Sequence, residues 1–149
     1  MRAVLQRVTS ASVEVDGKVV GKIGQGWLIL LGIGQGDEDS ELTYLADKCV
    51  GLRGFKDSDG KMNLAAADVK AEFLIVSQFT LYGDCRKGRR PGFSDAAPAE
   101  FSKTIYSKFC AQIRSQGFVV EEGIFQADMK VFLINDGPVT FLLDSNKTF

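Results

Sequence analysis

The run Val131-Phe132-Leu133-Ile134-Asn135-Asp136-Gly137-Pro138-Val139-Thr140-Phe141-Leu142-Leu143 places two apolar, β-rich segments around Asn-Asp-Gly-Pro. Such a centre is a strong hairpin signal, because Gly and Asn accept the positive φ of tight primed turns. It predicts two strands, over 129–135 and 139–144, joined by a turn. Pro138 complicates that reading. Proline gives no N–H to a ladder and belongs at an edge or a strand start, yet the apolar run resumes directly after it. A Gly-Pro bond is also where a cis peptide costs least. Taken alone, the stretch allows a plainer account in which Pro138 merely opens the second strand.

Upstream, residues 3–8 and 12–15 read as strands with a bend or bulge at Thr9-Ser10-Ala11, and Asp16-Gly17 turns the chain into a strand over 18–23. The near-continuous apolar run 27–33 suits a strand buried on both faces. Gly32, Gly34 and Gly36 lack the spacing of a dinucleotide loop and follow hairpins, so they read as turn residues. A helix is predicted over 38–53, with Leu42, Leu45, Ala46, Cys49 and Val50 on one face. The acids Asp37, Glu38, Asp39 and Glu41 at its start read as capping groups in preference to a cation site. Residues 56–62 form a turn or short irregular hairpin, and 72–79 a strand whose end turns polar at Ser77, Gln78 and Thr80. Polar side chains there suit binding, or simply bond their own backbone. A second helix spans 98–116 with Phe101, Ile105, Phe109, Cys110 and Ile113 on its apolar face, and a strand follows at 118–121.

The pattern is α+β: one domain over residues 1–149, with a mixed or largely antiparallel, barrel-like sheet and two main helices. A net charge of −1 excludes a general polyanion coat, so any nucleic-acid site must be local. Arg86, Lys87, Arg89 and Arg90 offer such a patch in a loop that Gly88 and Pro91 keep irregular; a merely solvated loop is the alternative. Three scattered cysteines, no signal-like leader and no run long enough to cross a bilayer lead us to expect a reduced, cytoplasmic protein. Histidine is absent, which removes Ser-His and Cys-His pairs and His-based zinc sites together.

Ser77-Gln78-Phe79-Thr80-Leu81-Tyr82-Gly83 and Asn135-Asp136-Gly137-Pro138-Val139-Thr140 together resemble the two signatures of the D-aminoacyl-tRNA deacylases. The likeness runs the length of the chain, through Gln6-Arg7-Val8, Gly60-Lys61-Met62-Asn63-Leu64 and the basic loop leading to Pro91 and Phe93. It implies a homodimeric esterase without metal or cofactor that cleaves a D-amino acid from the 3′ end of tRNA, and glycine from alanine tRNA. Ser77, Gln78, Phe79 and Thr80 would form the catalytic pocket. Gly137 and Pro138, joined by a cis bond and offered to the partner subunit, would select chirality, with Met129 and Arg7 at the substrate site. Arg7 would brace the turn, or else serve as a surface residue. Arg86, Lys87, Arg89 and Arg90 would contact tRNA. With no histidine, backbone donors and the ribose 2′-hydroxyl are favoured over Thr80 as a covalent nucleophile. A non-catalytic nucleic-acid-binding module is the rival reading, resting on the basic loop; a small-molecule binding protein has only the fold class behind it.

Overall fold

The strand on which everything else is assembled is β1 (Arg2–Val15), in a computed structural model that describes residues 1–148. The bend or bulge expected at Thr9-Ser10-Ala11 is a bulge and does not break the strand: a register shift against a neighbour falls at Thr9, with another at Arg7. Asp16 and Gly17, at φ of 51° and 75°, make the tight turn into β2 (Lys18–Ile23). The first half of β1 pairs antiparallel with β3 (Gly26–Gly32), the second half with β2. Helix α1 (Asp39–Gly51) and the small hairpin of β4 (Phe55–Lys56) and β5 (Met62–Leu64) follow. Then β6 (Glu72–Ser77) lies parallel to β3, and after helix α2 (Ala99–Ser115) comes β7 (Val120–Glu122), parallel to β6. Finally β8 (Lys130–Asp144) runs antiparallel along the whole of β1.

The two central strands are apolar on both sides because both sides are covered. Trp27, Ile29, Leu31, Phe73 and Ile75 pack toward the two helices. Leu28, Leu74 and Val76 face the other way and join Val8, Val13 and Ile23 in a second core. The sheet curls to enclose it: β2 returns over β6 and β7 so closely that a Cβ on Gly21 would lie 2.7 Å from the Glu122 carbonyl oxygen. The result is a nearly closed, mixed barrel with two helices on its outside, the α+β architecture that the sequence predicted.

The acids before α1 divide by role. Glu38 and Glu41 form a reciprocal capping box, as expected, with the Glu38 N–H donating to Glu41 Oε2 at 2.9 Å. Asp37 instead accepts from the buried Met1 ammonium at 2.6 Å and from the Gly34 N–H at 2.6 Å, tying the start of β1 to the helix. On α2 the buried stripe is Ser102, Ile105, Tyr106, Phe109, Cys110 and Ile113; Phe101, expected on that face, is exposed. The stripe begins one residue later because the Ser102 hydroxyl, bonded to the Ala97 carbonyl, takes the inward position.

The predicted hairpin at 131–143 is not formed. Both apolar segments belong to one strand, β8, and both pair with β1: Asn135 opposite Val8 and Thr140 opposite Gln6. Residues 136–139 therefore stand opposite Arg7 alone and are extruded as a large bulge. The turn chemistry of Asn-Asp-Gly-Pro is real, but the strand resumes in the same direction, and ladder on both sides, about 20 Å before the bulge and about 17 Å after it at roughly 3.4 Å per residue, outweighs a local turn preference. Among the described residues no helix is long and apolar enough to cross a membrane.

Candidate active site

The last ladder bond at the end of β6 runs from the Gln78 N–H to the Leu31 carbonyl at 2.7 Å. The chain then tightens into a 3-10 helix, Phe79–Tyr82, in which the Leu81 N–H donates to Gln78 O at 3.3 Å. The N–H groups of Phe79 and Thr80 come before the first such bond, so the turn itself gives them no acceptor. Two adjacent backbone donors are thus left at a strand end.

A cavity of about 480 Å³ opens there, within the usual range for small-molecule sites. Ser77, Gln78 and Phe79 form one part of its wall, and Met129 also lines it. Sequence reasoning missed much of the lining, including Ala97, Ala99 and Ser102 from the run into α2 and its first turn, and Phe125, Gln126 and Ala127 from the turn before β8. Small side chains and a turn carry no signal on their own, although Gln126 at φ 63° marks an unusual backbone there. These parts of the lining are tied through one carbonyl. Ile75 O accepts from the Tyr106 hydroxyl at 2.7 Å and from the Gly123 N–H at 3.0 Å, linking α2 and the 123–129 segment to β6. Burial pushes the Tyr106 hydroxyl far above its ordinary pKa, so it stays a neutral donor.

Among the described residues no carboxylate or amine lines this cavity; its polar side chains are Ser77, Gln78, Ser102 and Gln126. Thr80 follows at the rim, exposed, with Oγ1 accepting from Gln78 Nε2 at 3.0 Å. Among the described residues no basic group bonds that hydroxyl. Nor is any group of three Cys, Asp or Glu side chains placed there as a metal-ligand set.

The other predicted site residues lie elsewhere. Gly137 and Pro138 are exposed on the β8 bulge, joined by a cis bond, and do not line the cavity of their own chain. Arg7 lies beneath them and is only 2% exposed, which excludes a surface role. Its Nη1 donates to the Gly54 carbonyl at 2.7 Å. Its Nε sits 3.0 Å from Asp136 Oδ2, an ion pair by distance whose N–H is not aimed along the contact. Asn135 completes the brace, its Nδ2 donating to Arg7 O at 2.9 Å and Val139 O at 3.0 Å across the mouth of the bulge. A Cβ on Gly137, at φ 125°, would meet Val139 Cγ2 at 2.8 Å and Arg7 Nη2 at 3.1 Å, so only glycine fits. In the basic loop Arg86 is committed to Asp84 through two contacts of 2.8 Å, which hold the Asp84 carboxyl well below its usual range. Lys87, Arg89 and Arg90 have no ion pair among the described residues.

Fold and cavity together define a class, a small α+β domain whose pocket, among the described residues, offers backbone donors and neutral side chains in place of a nucleophile–base pair. The chain belongs to the D-Tyr-tRNA(Tyr) deacylase family, whose model matches residues 4–144. It is 56% identical to the D-aminoacyl-tRNA deacylase of Desulfitobacterium hafniense (strain DSM 10664 / DCB-2), over the full length of both chains. It is 58% identical to that of Fervidobacterium nodosum, again over all of both. Among solved structures it is similar to one described as a c-Myc DNA unwinding element binding protein. That match has a TM-score of 0.91 and 41% identity, covering 97% of this chain and 98% of the other. A probable eukaryotic D-amino acid tRNA deacylase shares the fold, with a TM-score of 0.81 at 18% identity over 95% and 97% of the chains.

Proposed function

We propose that this chain, acting as one domain and in the cytoplasm, hydrolyses the ester between a D-amino acid and the 3′-terminal ribose of tRNA, and likewise removes glycine from alanine tRNA. The observation that carries the reading is the cavity wall at Ser77 to Phe79, with two backbone N–H groups free of turn bonds and, among the described residues, no basic group bonded to Thr80. An aminoacyl ester is already activated, so a positioned water and donors at the developing oxyanion suffice. The Phe79 and Thr80 N–H groups supply the donors, Gln78 shapes the pocket and holds the water, and the neighbouring ribose 2′-hydroxyl of the substrate helps to activate it. No metal takes part.

Selection against L substrates works by collision. The carbonyls of Gly137 and Pro138 from a second copy hold the α-amino group, which fixes the directions of the Cα substituents. A D side chain then points out of the pocket, an L side chain meets the backbone pair, and glycine has nothing to clash. Support comes from the position of the pair, exposed and away from its own cavity, on a strand that also exposes Phe132, Ile134 and Leu142. An apolar row of that kind on an outer strand suits burial against another copy in a homodimer. Met129 lines the cavity as a substrate contact, and Lys87, Arg89 and Arg90, with Arg86 more weakly, face tRNA phosphates.

A purified sample should release D-tyrosine from D-Tyr-tRNA and glycine from Gly-tRNA(Ala), spare L-Tyr-tRNA by at least roughly 100-fold, and keep its rate in chelator. Equal hydrolysis of both enantiomers, or none, would overturn the assignment. A binding module without turnover is favoured only by the three unpaired cations; it would bind tRNA in the same assay and release no amino acid.

A further inference from the structure

Phe79 and Phe93 meet edge to face, with ring centroids 4.9 Å apart and planes at 63°. Both are exposed, Phe79 by 59% and Phe93 by 36%. A single exposed aromatic is unremarked on most surfaces, but this pair is held in place. Asp84 and Gly92 exchange N–H···O bonds of 2.7 and 2.9 Å, closing the basic loop at its base and delivering Phe93 next to Gly83. A Cβ on Gly83 would come within 3.2 Å of the Phe93 ring. The Gly83 N–H is in turn bonded to Thr80 O at 2.9 Å, so the floor under Phe93 belongs to the same turn that carries Phe79. Phe79 also lines the cavity. An open aromatic surface thus lies between the cavity and a closed lobe bearing Lys87, Arg89 and Arg90.

Aromatic faces beside cations that track a backbone are how single-stranded nucleic acid is held, since every base has a π-face and every linkage a phosphate. We propose that Phe79 and Phe93 form a stacking platform for the unpaired base that immediately precedes the terminal adenosine of tRNA, with Lys87, Arg89 and Arg90 drawing in the adjoining phosphates. The inference rests on the reading that the aminoacylated 3′ end enters the cavity, and it adds a subsite outside that cavity. Phe93 is then a positioning residue: it never touches the ester, yet it fixes how the strand approaches.

The test compares D-Tyr-tRNA with D-tyrosyl-adenosine, an ester that ends at the terminal nucleoside and so lacks the stacked base. Phe93→Ala should lower kcat/KM for D-Tyr-tRNA roughly 10-fold, through KM, while the loss on D-tyrosyl-adenosine stays within about twofold. Phe93→Trp should restore the tRNA value, and Gly83→Ala, which displaces the ring, should reproduce part of the loss. An unchanged tRNA value, or an equal loss on both substrates, overturns the platform. A second arm does not depend on turnover. The RNA trinucleotide CCA should quench the fluorescence of the Phe93→Trp protein with an affinity that falls as salt rises, and no quenching overturns the proposal. If the wild-type protein hydrolyses neither ester, it is the deacylase reading that fails, and the trinucleotide result alone decides the platform.

Discussion

Arg7 shows what a single residue does here. It is one of the largest fully buried side chains in the molecule, placed where β1 has one residue and β8 has four. Its guanidinium donates to Gly54 O from one nitrogen and lies against Asp136 with another, so the bulge and the loop before β4 share one cation. Arg7→Met should cost about 1–3 kcal/mol in urea unfolding, because the buried Gly54 carbonyl loses its partner. It should also reduce the preference for D over L substrate as the Gly137–Pro138 tip loosens; an unchanged preference in a destabilised protein would separate the brace from selection. Thr80 makes the opposite case. Its hydroxyl is exposed and occupied by Gln78 Nε2, and among the described residues no basic group bonds it. Thr80→Ala should therefore turn over within about threefold of wild type, whereas a nucleophile's removal costs several orders of magnitude. Pre-steady-state release of D-tyrosine distinguishes the two.

At the scale of elements, the capping box on α1 gives a pH-dependent prediction. A hydrogen bond from the Ser40 hydroxyl, then one from the Glu38 N–H, hold the Glu41 carboxyl below its ordinary pKa. A depressed folded-state value means that the stabilisation is complete above the ordinary glutamate range and disappears as pH falls through the lowered value. Amide-exchange protection in the first turn of α1 should decline over that acidic window, and Glu41→Gln, which keeps the box without the titration, should flatten the decline. Which two of the four acids would pair was not legible, but a capping role for acids at this helix start was readable in advance because it has a local cause. Strand β8 was not. Asn135-Asp136-Gly137-Pro138 satisfies the local rules of a hairpin, and what makes it a bulge is the continuous partner β1, a contact separated by more than a hundred residues. The cavity was half legible for the same reason: Ser77 to Thr80 declare a polar strand end, while Ala97, Ala99 and Ala127 become lining only when α2 and the 123–129 turn are folded over them.

For the whole molecule, the proposed function places two tasks apart. The donors and the cavity stand at the end of β6, and the Gly137–Pro138 tip stands on β8, outside that cavity. Under the proposed function, chemistry and chiral selection would meet only if the tip of one copy entered the cavity of another, with the exposed Phe132, Ile134 and Leu142 beside the tip as the surface holding the copies together. A mixed-protomer experiment addresses this most directly. Ala127→Arg fills the cavity and leaves the tip intact, while Gly137→Val distorts the tip and leaves the cavity intact. Each variant alone should hydrolyse D-Tyr-tRNA at a small fraction of the wild-type rate. Unfolded and refolded together in equal amounts, they should recover roughly a quarter of it, since half of the dimers pair unlike chains and each of those has one complete site. Recovery at that level, with L-Tyr-tRNA still spared, is the expected result; a mixture no more active than its parts, while the chains demonstrably associate, would contradict the shared site.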